Sequence, residues 1–107
     1  MDTNTSFEPI RRGLLEFLVL KIISNADAYS ANILTALAKT EFQTQEGTLY
    51  PLLSKMRREK LLDYSWQESE TGPPRKYYSL TKDGRKRLSD LEAYWESINK
   101  TIKTIGR

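Results

Sequence analysis

The sequence has no histidine and no cysteine, and these two absences exclude more chemistry than any residue it contains. Without imidazole or thiol there is no Ser-His-Asp or Cys-His nucleophile, no thiolate or imidazole metal site and no disulfide scaffold. Carboxylate-only catalysis with a divalent ion survives this filter. Asp83, Asp90, Glu92 and Glu96 share one helical segment, but their spacing does not make a converging cluster. Neither an enzyme nor a cofactor nor a bound metal is expected. Long apolar runs are also missing: the longest, Leu14 to Leu20, is interrupted by Glu16 and closed by Lys21, too short to span a membrane. Residues 1–5 contain no basic stretch leading into an apolar one, so a secretory signal is not expected and cytoplasmic residence is.

With 107 residues the chain is long enough for one small domain. Its net charge of +3 is unevenly distributed. Thr71 to Arg87 holds Arg75, Lys76, Lys82, Arg85, Lys86 and Arg87 against Asp83 alone, whereas the rest of the chain is neutral or slightly acidic. A local cationic excess of this kind is what contact with a polyanion requires, although a solvated charge run has the same appearance.

The periodicities place four helices and one hairpin. After an unstructured start over residues 1–8, Pro9 suits a helix's first turn. From Ile10 onward, Leu14, Leu15, Phe17, Leu18, Val19, Leu20, Ile22 and Ile23 cover nearly the whole circumference, so this helix must be buried on more than one side. Tyr29, Ile33, Leu34 and Leu37 form a short second helix ending near Lys39, with Ser30 as its N-cap. Leu49, Leu52, Leu53 and Met56 make one stripe of a third helix, with Thr44, Thr48, Pro51, Lys55 and Arg58 on the other side. Proline inside a helix clashes with the carbonyl four residues back, at a cost of about 3 kcal/mol. The regular part of this helix is therefore expected near Thr48, with Pro51 in a loose first turn. Leu62, Tyr64 and Trp66 then alternate with polar residues as a half-buried strand, Trp66 being expected in the core. A turn at residues 69–74 leads into a return strand through Lys76, Tyr78 and Leu80. Thr81 caps the last helix, where Leu88, Leu91, Trp95, Ile98, Ile102 and Ile105 recur every 3.5 residues, the spacing of a coiled-coil seam.

This order predicts a mainly α fold with a small β-hairpin. It is a winged helix-turn-helix over residues 9–80 followed by a C-terminal dimerisation helix over 81–107, with the helix-turn-helix turn at Thr40 to Thr44. In such a fold the third helix enters the DNA major groove and the hairpin wing meets the backbone. The expected DNA contacts are Thr44, Gln45, Thr48, Tyr50, Pro51, Ser54, Lys55 and Arg58, with Arg75 and Lys76 on the wing. Most of these are not the Glu and Lys that fill an ordinary solvent-facing helix. A winged-helix module that binds protein and never DNA is the alternative, and would favour an acidic or apolar face.

The strings Glu46-Gly47-Thr48-Leu49-Tyr50-Pro51-Leu52-Leu53 and Gly72-Pro73-Pro74-Arg75-Lys76-Tyr77-Tyr78, followed by Leu80-Thr81 and preceded by Gly13-Leu14-Leu15-Glu16, resemble the PadR family of bacterial transcriptional regulators over about residues 9 to 105. The resemblance implies a homodimeric winged-helix repressor whose C-terminal helix pairs the subunits. The single short C-terminal helix is similar to the compact branch of the family. In a multidrug-responsive member of that branch, a Trp on this helix stacks on flat aromatic ligands at the dimer centre, and Trp95 matches it by position. A small aromatic effector is thus implied, with Leu14, Leu18, Glu92 and Asn99 as expected neighbours of Trp95.

A homodimer also follows from the last helix, whose far end is too long for the rest of the domain to cover. The expected interface is Leu88, Leu91, Trp95, Ile98, Ile102 and Ile105, worth on the order of 10 kcal/mol per chain if buried. The expected DNA partner is a duplex with a pseudo-palindromic operator, its half-sites roughly 34 Å apart, met by ten surplus charges per dimer if the basic stretch faces phosphates.

Overall fold

The structure, a computed structural model, describes residues 7–107; residues 1–6, most of the expected unstructured start, lie outside the described part. Helix α1 spans Glu8–Asn25, so it already includes Glu8, and Pro9 occupies its first turn. Leu15, Val19, Leu20 and Ile23 are buried, while Leu14, Phe17, Leu18 and Ile22 are half-buried around them. The nearly all-round apolar pattern thus makes α1 the central helix.

Helix α2 spans Ser30–Ala38, and its N-cap is Tyr29, not Ser30. The Asn32 side-chain oxygen accepts from the Tyr29 N–H at 3.2 Å, which frees the Ser30 hydroxyl to face another helix. The turn that follows is tied by its own threonines. Thr40 donates its hydroxyl to the Leu37 carbonyl at 2.8 Å and accepts from the Phe42 N–H at 2.9 Å, and Thr44 donates to the Phe42 carbonyl at 2.8 Å. Such side-chain bonds replace the helix ladder where the chain must change direction.

Helix α3 spans Glu46–Arg58, two residues longer at its start than expected. Thr48 and Leu49 both donate to the Gln45 carbonyl at 3.0 Å, so the first turn forms ahead of Thr48 and Pro51 lies beyond it. Residue 47, whose carbonyl Pro51 cannot satisfy, is exposed to water, and the complete burial of Leu49, Leu53 and Met56 offsets the lost bond. At the other end, Lys60 holds φ at 64°, its N–H donating to Arg57 and that of Leu61 to Met56. This is a Schellman ending in which lysine takes the left-handed place that glycine usually fills.

Strands β1 (Leu62–Ser69) and β2 (Gly72–Leu80) pair antiparallel from Leu62↔Leu80 to Ser69↔Gly72. The reversal is therefore Glu70-Thr71 alone, not the six-residue turn over 69–74. Between Gln67↔Arg75 and Ser69↔Gly72 β2 has one residue more than β1, and this bulge accommodates Pro73 and Pro74, which have no N–H to offer a ladder. On the free edge of β2, Ala28 exchanges both backbone hydrogen bonds with Tyr78, at 3.1 and 2.8 Å. Trp66 is not in the core: Leu62 is buried and Tyr64 half-buried, but Trp66 is 61% exposed, because the hairpin extends past the helices that would cover its outer half.

Helix α4 spans Lys82–Ile105, with Thr81 as the expected cap, accepting from the Gly84 N–H at 2.9 Å and donating to the Lys60 carbonyl at 2.6 Å. Gly84 packs so closely on the Leu61 backbone that a Cβ would collide with its carbonyl. Leu88 belongs to the chain's own core, so it is not part of a seam left open to a partner. Beyond it Leu91 and Ile98 are half-buried, whereas Trp95 is 41% exposed, Ile102 63% and Ile105 77%, so the stripe is open at its C-terminal end. The radius of gyration, 15.6 Å, exceeds the roughly 13 Å of a self-contained domain of this length, as projecting elements require.

Candidate nucleic-acid interface

Because α3 buries Leu49, Leu53 and Met56 completely, the side chains on its opposite face must turn outward. Thr48, Pro51, Ser54, Lys55 and Arg58 are all exposed there, and Gln45 is exposed just ahead of the helix. Thr44 differs: it lies in the preceding turn, half-buried, with its hydroxyl engaged locally. The Lys55 ammonium sits 3.9 Å from Glu16 and 3.7 Å from Glu59. The pair with Glu59 is an exposed one of the kind worth less than about 1 kcal/mol, and the half-buried Glu16 is shared with Arg87 at 3.1 Å, so a phosphate can compete for this cation.

One flank of α3 is tied to its neighbours. The Tyr50 hydroxyl lies 3.1 Å from the Ser30 hydroxyl at the start of α2. The Arg57 guanidinium stacks 4.3 Å from the centre of the Tyr64 ring on β1. The wing is tied in turn to the same region: Arg75 lies 4.5 Å over the Tyr29 ring, next in sequence to Ser30, and the Tyr77 ring is 5.2 Å from that of Tyr29. Lys76 projects from the other face of the hairpin, 4.6 Å from Tyr64 and 5.5 Å from Trp66. Cation–π contacts of this length hold an exposed cation near a fixed position without neutralising it. Beneath them, burial pushes the Tyr78 phenol above its usual pKa, aided by Tyr50 and Tyr64 and opposed by Arg57.

The basic stretch Thr71 to Arg87 does not act as one surface. Arg75 and Lys76 are on the wing, whereas Arg87 donates to Glu16 at 3.1 Å and Lys86 to Asp90 at 3.0 Å on α4. Fewer than the expected ten surplus charges per pair of chains therefore remain available to phosphates. Sequence reasoning also missed Arg11, Tyr29, Ser30 and Arg57. The Arg11 guanidinium donates to the carbonyls of Gln43 and Glu41 at 2.8 and 3.3 Å, clamping the turn that leads into α3. Its only sequence signal was a cation at the edge of an apolar helix.

A second, apolar region lies between α1 and α4. Pro9, Ile10, Gly13, Leu14 and Phe17 face Leu91, Tyr94, Trp95 and Ile98 around a groove of about 260 Å³. The structure thus brings Leu14 and Trp95 together, but not the other three expected neighbours. Leu18 lines a separate groove with Ile22, Leu37 and Phe42, Glu92 pairs with Lys21 at 3.7 Å, and Asn99 is exposed on α4 outside the groove. Among the described residues no three acidic side chains converge as a metal cluster, and no helix is long and apolar enough to cross a membrane.

Comparison with known proteins gives this geometry a context. Residues 19–90 match the model of the transcriptional regulator PadR-like family. The chain is similar to a PadR-like transcription factor of Bacteroides fragilis, with 40% identity, 94% of this chain and 98% of that one covered, and a TM-score of 0.82. It is also similar to a PadR-like transcriptional regulator of Bacillus cereus, with 35% identity, coverage of 89% and 93%, and a TM-score of 0.79. A PadR family regulator of Eggerthella lenta superposes with a TM-score of 0.83 at 29% identity, covering 96% of this chain and 90% of that one.

Proposed function

This chain belongs to the PadR-like family of transcriptional regulators, and from that premise we propose that it is a homodimeric repressor that reads a pseudo-palindromic operator and is released by a flat aromatic effector. It is a DNA-binding regulator with a winged helix, and not an enzyme. The observation that carries the DNA-reading part of this proposal is α3 itself. One face is wholly buried, and the other offers Thr48, Pro51, Ser54 and Lys55 beside a wing bearing Arg75 and Lys76. An α-helix fits the B-DNA major groove, where hydroxyls and cations reach base edges and phosphates.

In this reading residues 9–80 form the DNA-binding unit and 81–107 the dimerisation helix of a cytoplasmic protein. Trp95, Ile98, Ile102 and Ile105 of two chains cover one another, an association worth on the order of 5 kcal/mol per chain. The groove around Leu14 and Trp95 offers rings against which an aromatic effector can stack. An effector lowers DNA affinity only if it prefers a dimer whose α3 helices are misplaced for adjacent half-sites.

Selection of bound fragments from random duplexes, followed by mobility shift at about 50 and about 200 mM salt, tests the reading. An inverted repeat whose binding falls steeply with salt is the expected result. A chain that selects no sequence and shows no salt-dependent binding is a protein-interaction module instead.

A further inference from the structure

Trp66 has no role in the core, and of the contacts described above it makes only that with Lys76, yet its position is well defined. The indole is 61% exposed on β1, opposite Lys76 in the ladder. Tyr64 meets its ring nearly edge-on, at 89° and 6.1 Å. The Lys76 ammonium lies 5.5 Å from the Trp66 ring and 4.6 Å from that of Tyr64, and Arg57 of α3 covers Tyr64 at 4.3 Å. One face of the wing therefore presents a flat, largely exposed ring braced edge-on by Tyr64 and approached by Lys76, while Arg57, over the Tyr64 ring, joins this face to the flank of the recognition helix. Glu68 and Glu70 lie farther out, toward the reversal of the hairpin.

We propose that Trp66 is a DNA contact, its indole lying against a deoxyribose beside the half-site while Lys76 meets an adjoining phosphate. This rests on the DNA-binding reading above and adds to it an apolar contact from the outer half of the wing. The charges favour a nucleic-acid backbone as the occupant. A duplex strand presents an apolar sugar edge between anions, matching an exposed indole beside Lys76 with Arg57 one ring farther in, over Tyr64, whereas the carboxylates at the tip keep the outermost turn away from phosphate. Aromatic surface left in water is a large store of binding free energy, and the indole is rigid, so little side-chain freedom is lost on contact.

The contact has a signature that separates it from a charge. Removing the indole releases no counterion, so Trp66→Ala weakens binding by about three- to tenfold at every salt concentration and on all duplexes alike, with the salt slope unchanged. Lys76→Ala lowers that slope by about one. Trp66→Phe retains most of the affinity.

The chain has two tryptophans, so the parent protein is set beside Trp66→Phe to isolate the Trp66 emission. Both are titrated with a duplex recovered by the selection, reading DNA anisotropy together with Trp emission and acrylamide quenching. The expected result is a Trp66 signal that changes with saturation of the duplex and becomes shielded from acrylamide. Binding seen by anisotropy with Trp66 quenching unaltered, or a folded Trp66→Ala protein of unchanged affinity, overturns the proposal while leaving the DNA-binding reading intact. A protein that binds no duplex overturns both.

Discussion

Arg11 holds Gln43 in place across the molecule: its guanidinium donates to the Gln43 carbonyl at 2.8 Å, from the first turns of α1 to the loop that aims α3. Its Nε is buried without a partner, and the adjacent residues Ile10, Gly13 and Leu14 line the Trp95 groove. Groove and recognition helix are thus in contact with one short segment. Replacing Arg11 by Lys loses the fork geometry that reaches two carbonyls at once. We expect Arg11→Lys to weaken operator binding by about tenfold while lowering the melting temperature by only a few degrees, about 1 kcal/mol, as measured by anisotropy and thermal denaturation. Unchanged affinity would show that the turn is fixed by its threonines alone.

The two sides of the interface should fail differently. Thr48→Ala and Tyr50→Ala are expected to cost about 1–3 kcal/mol on the selected operator and little on random duplex. Arg75→Ala should weaken both equally and reduce the salt slope by about one. Tyr50→Phe, which removes only the hydroxyl facing Ser30 at 3.1 Å, distinguishes base reading from orientation of the ring. Affinities on the two duplexes at several salt concentrations decide each case.

The emergent stripe of α4 sets the oligomeric state. Ile102→Glu or Ile105→Glu should shift the chain to monomer in sedimentation at micromolar concentration without unfolding it, because both residues are more than 60% exposed in the single chain. Trp95→Ala should abolish fluorescence quenching by flat aromatic compounds. Quenching that survives would point to Trp66.

Two backbone sites are expected to respond with opposite sign. Gly84→Ala pushes a Cβ into the Leu61 carbonyl, which rigid backbone cannot avoid, and should destabilise by about 1–3 kcal/mol. Lys60→Gly relieves a left-handed conformation at φ 64° and should stabilise by up to about 1 kcal/mol. Denaturant midpoints measure both.

Alkaline stability should depend on Tyr78. Its folded pKa is raised by burial, so the neutral phenol is favoured in the native state. That stability is complete below the ordinary tyrosine value of 10.0 and is lost as pH climbs from there through the folded pKa. Tyr78→Phe should match the parent protein at neutral pH and lose less stability above about pH 10. Thermal melts of the two proteins between pH 7 and 11 make the comparison.

The periodicities alone determined the four helices, the hairpin and the buried stripe of α3, because a repeat of 3.6 or of two residues dictates which side chains share a face. They also separated Leu49, Leu53 and Met56 from the residues available to DNA. Only the tertiary structure decided how far each stripe stays covered. Leu88 and Ile105 occupy equivalent seam positions, yet one is core and the other open, and Trp66 continues the pattern of Leu62 into solvent, because coverage depends on where neighbouring elements end. The long-range ties, Arg11 to Gln43, Arg87 to Glu16 and Ser30 to Tyr50, join residues 20 or more positions apart. No local pattern encodes such pairs, since they form only when packing brings distant turns within hydrogen-bonding reach.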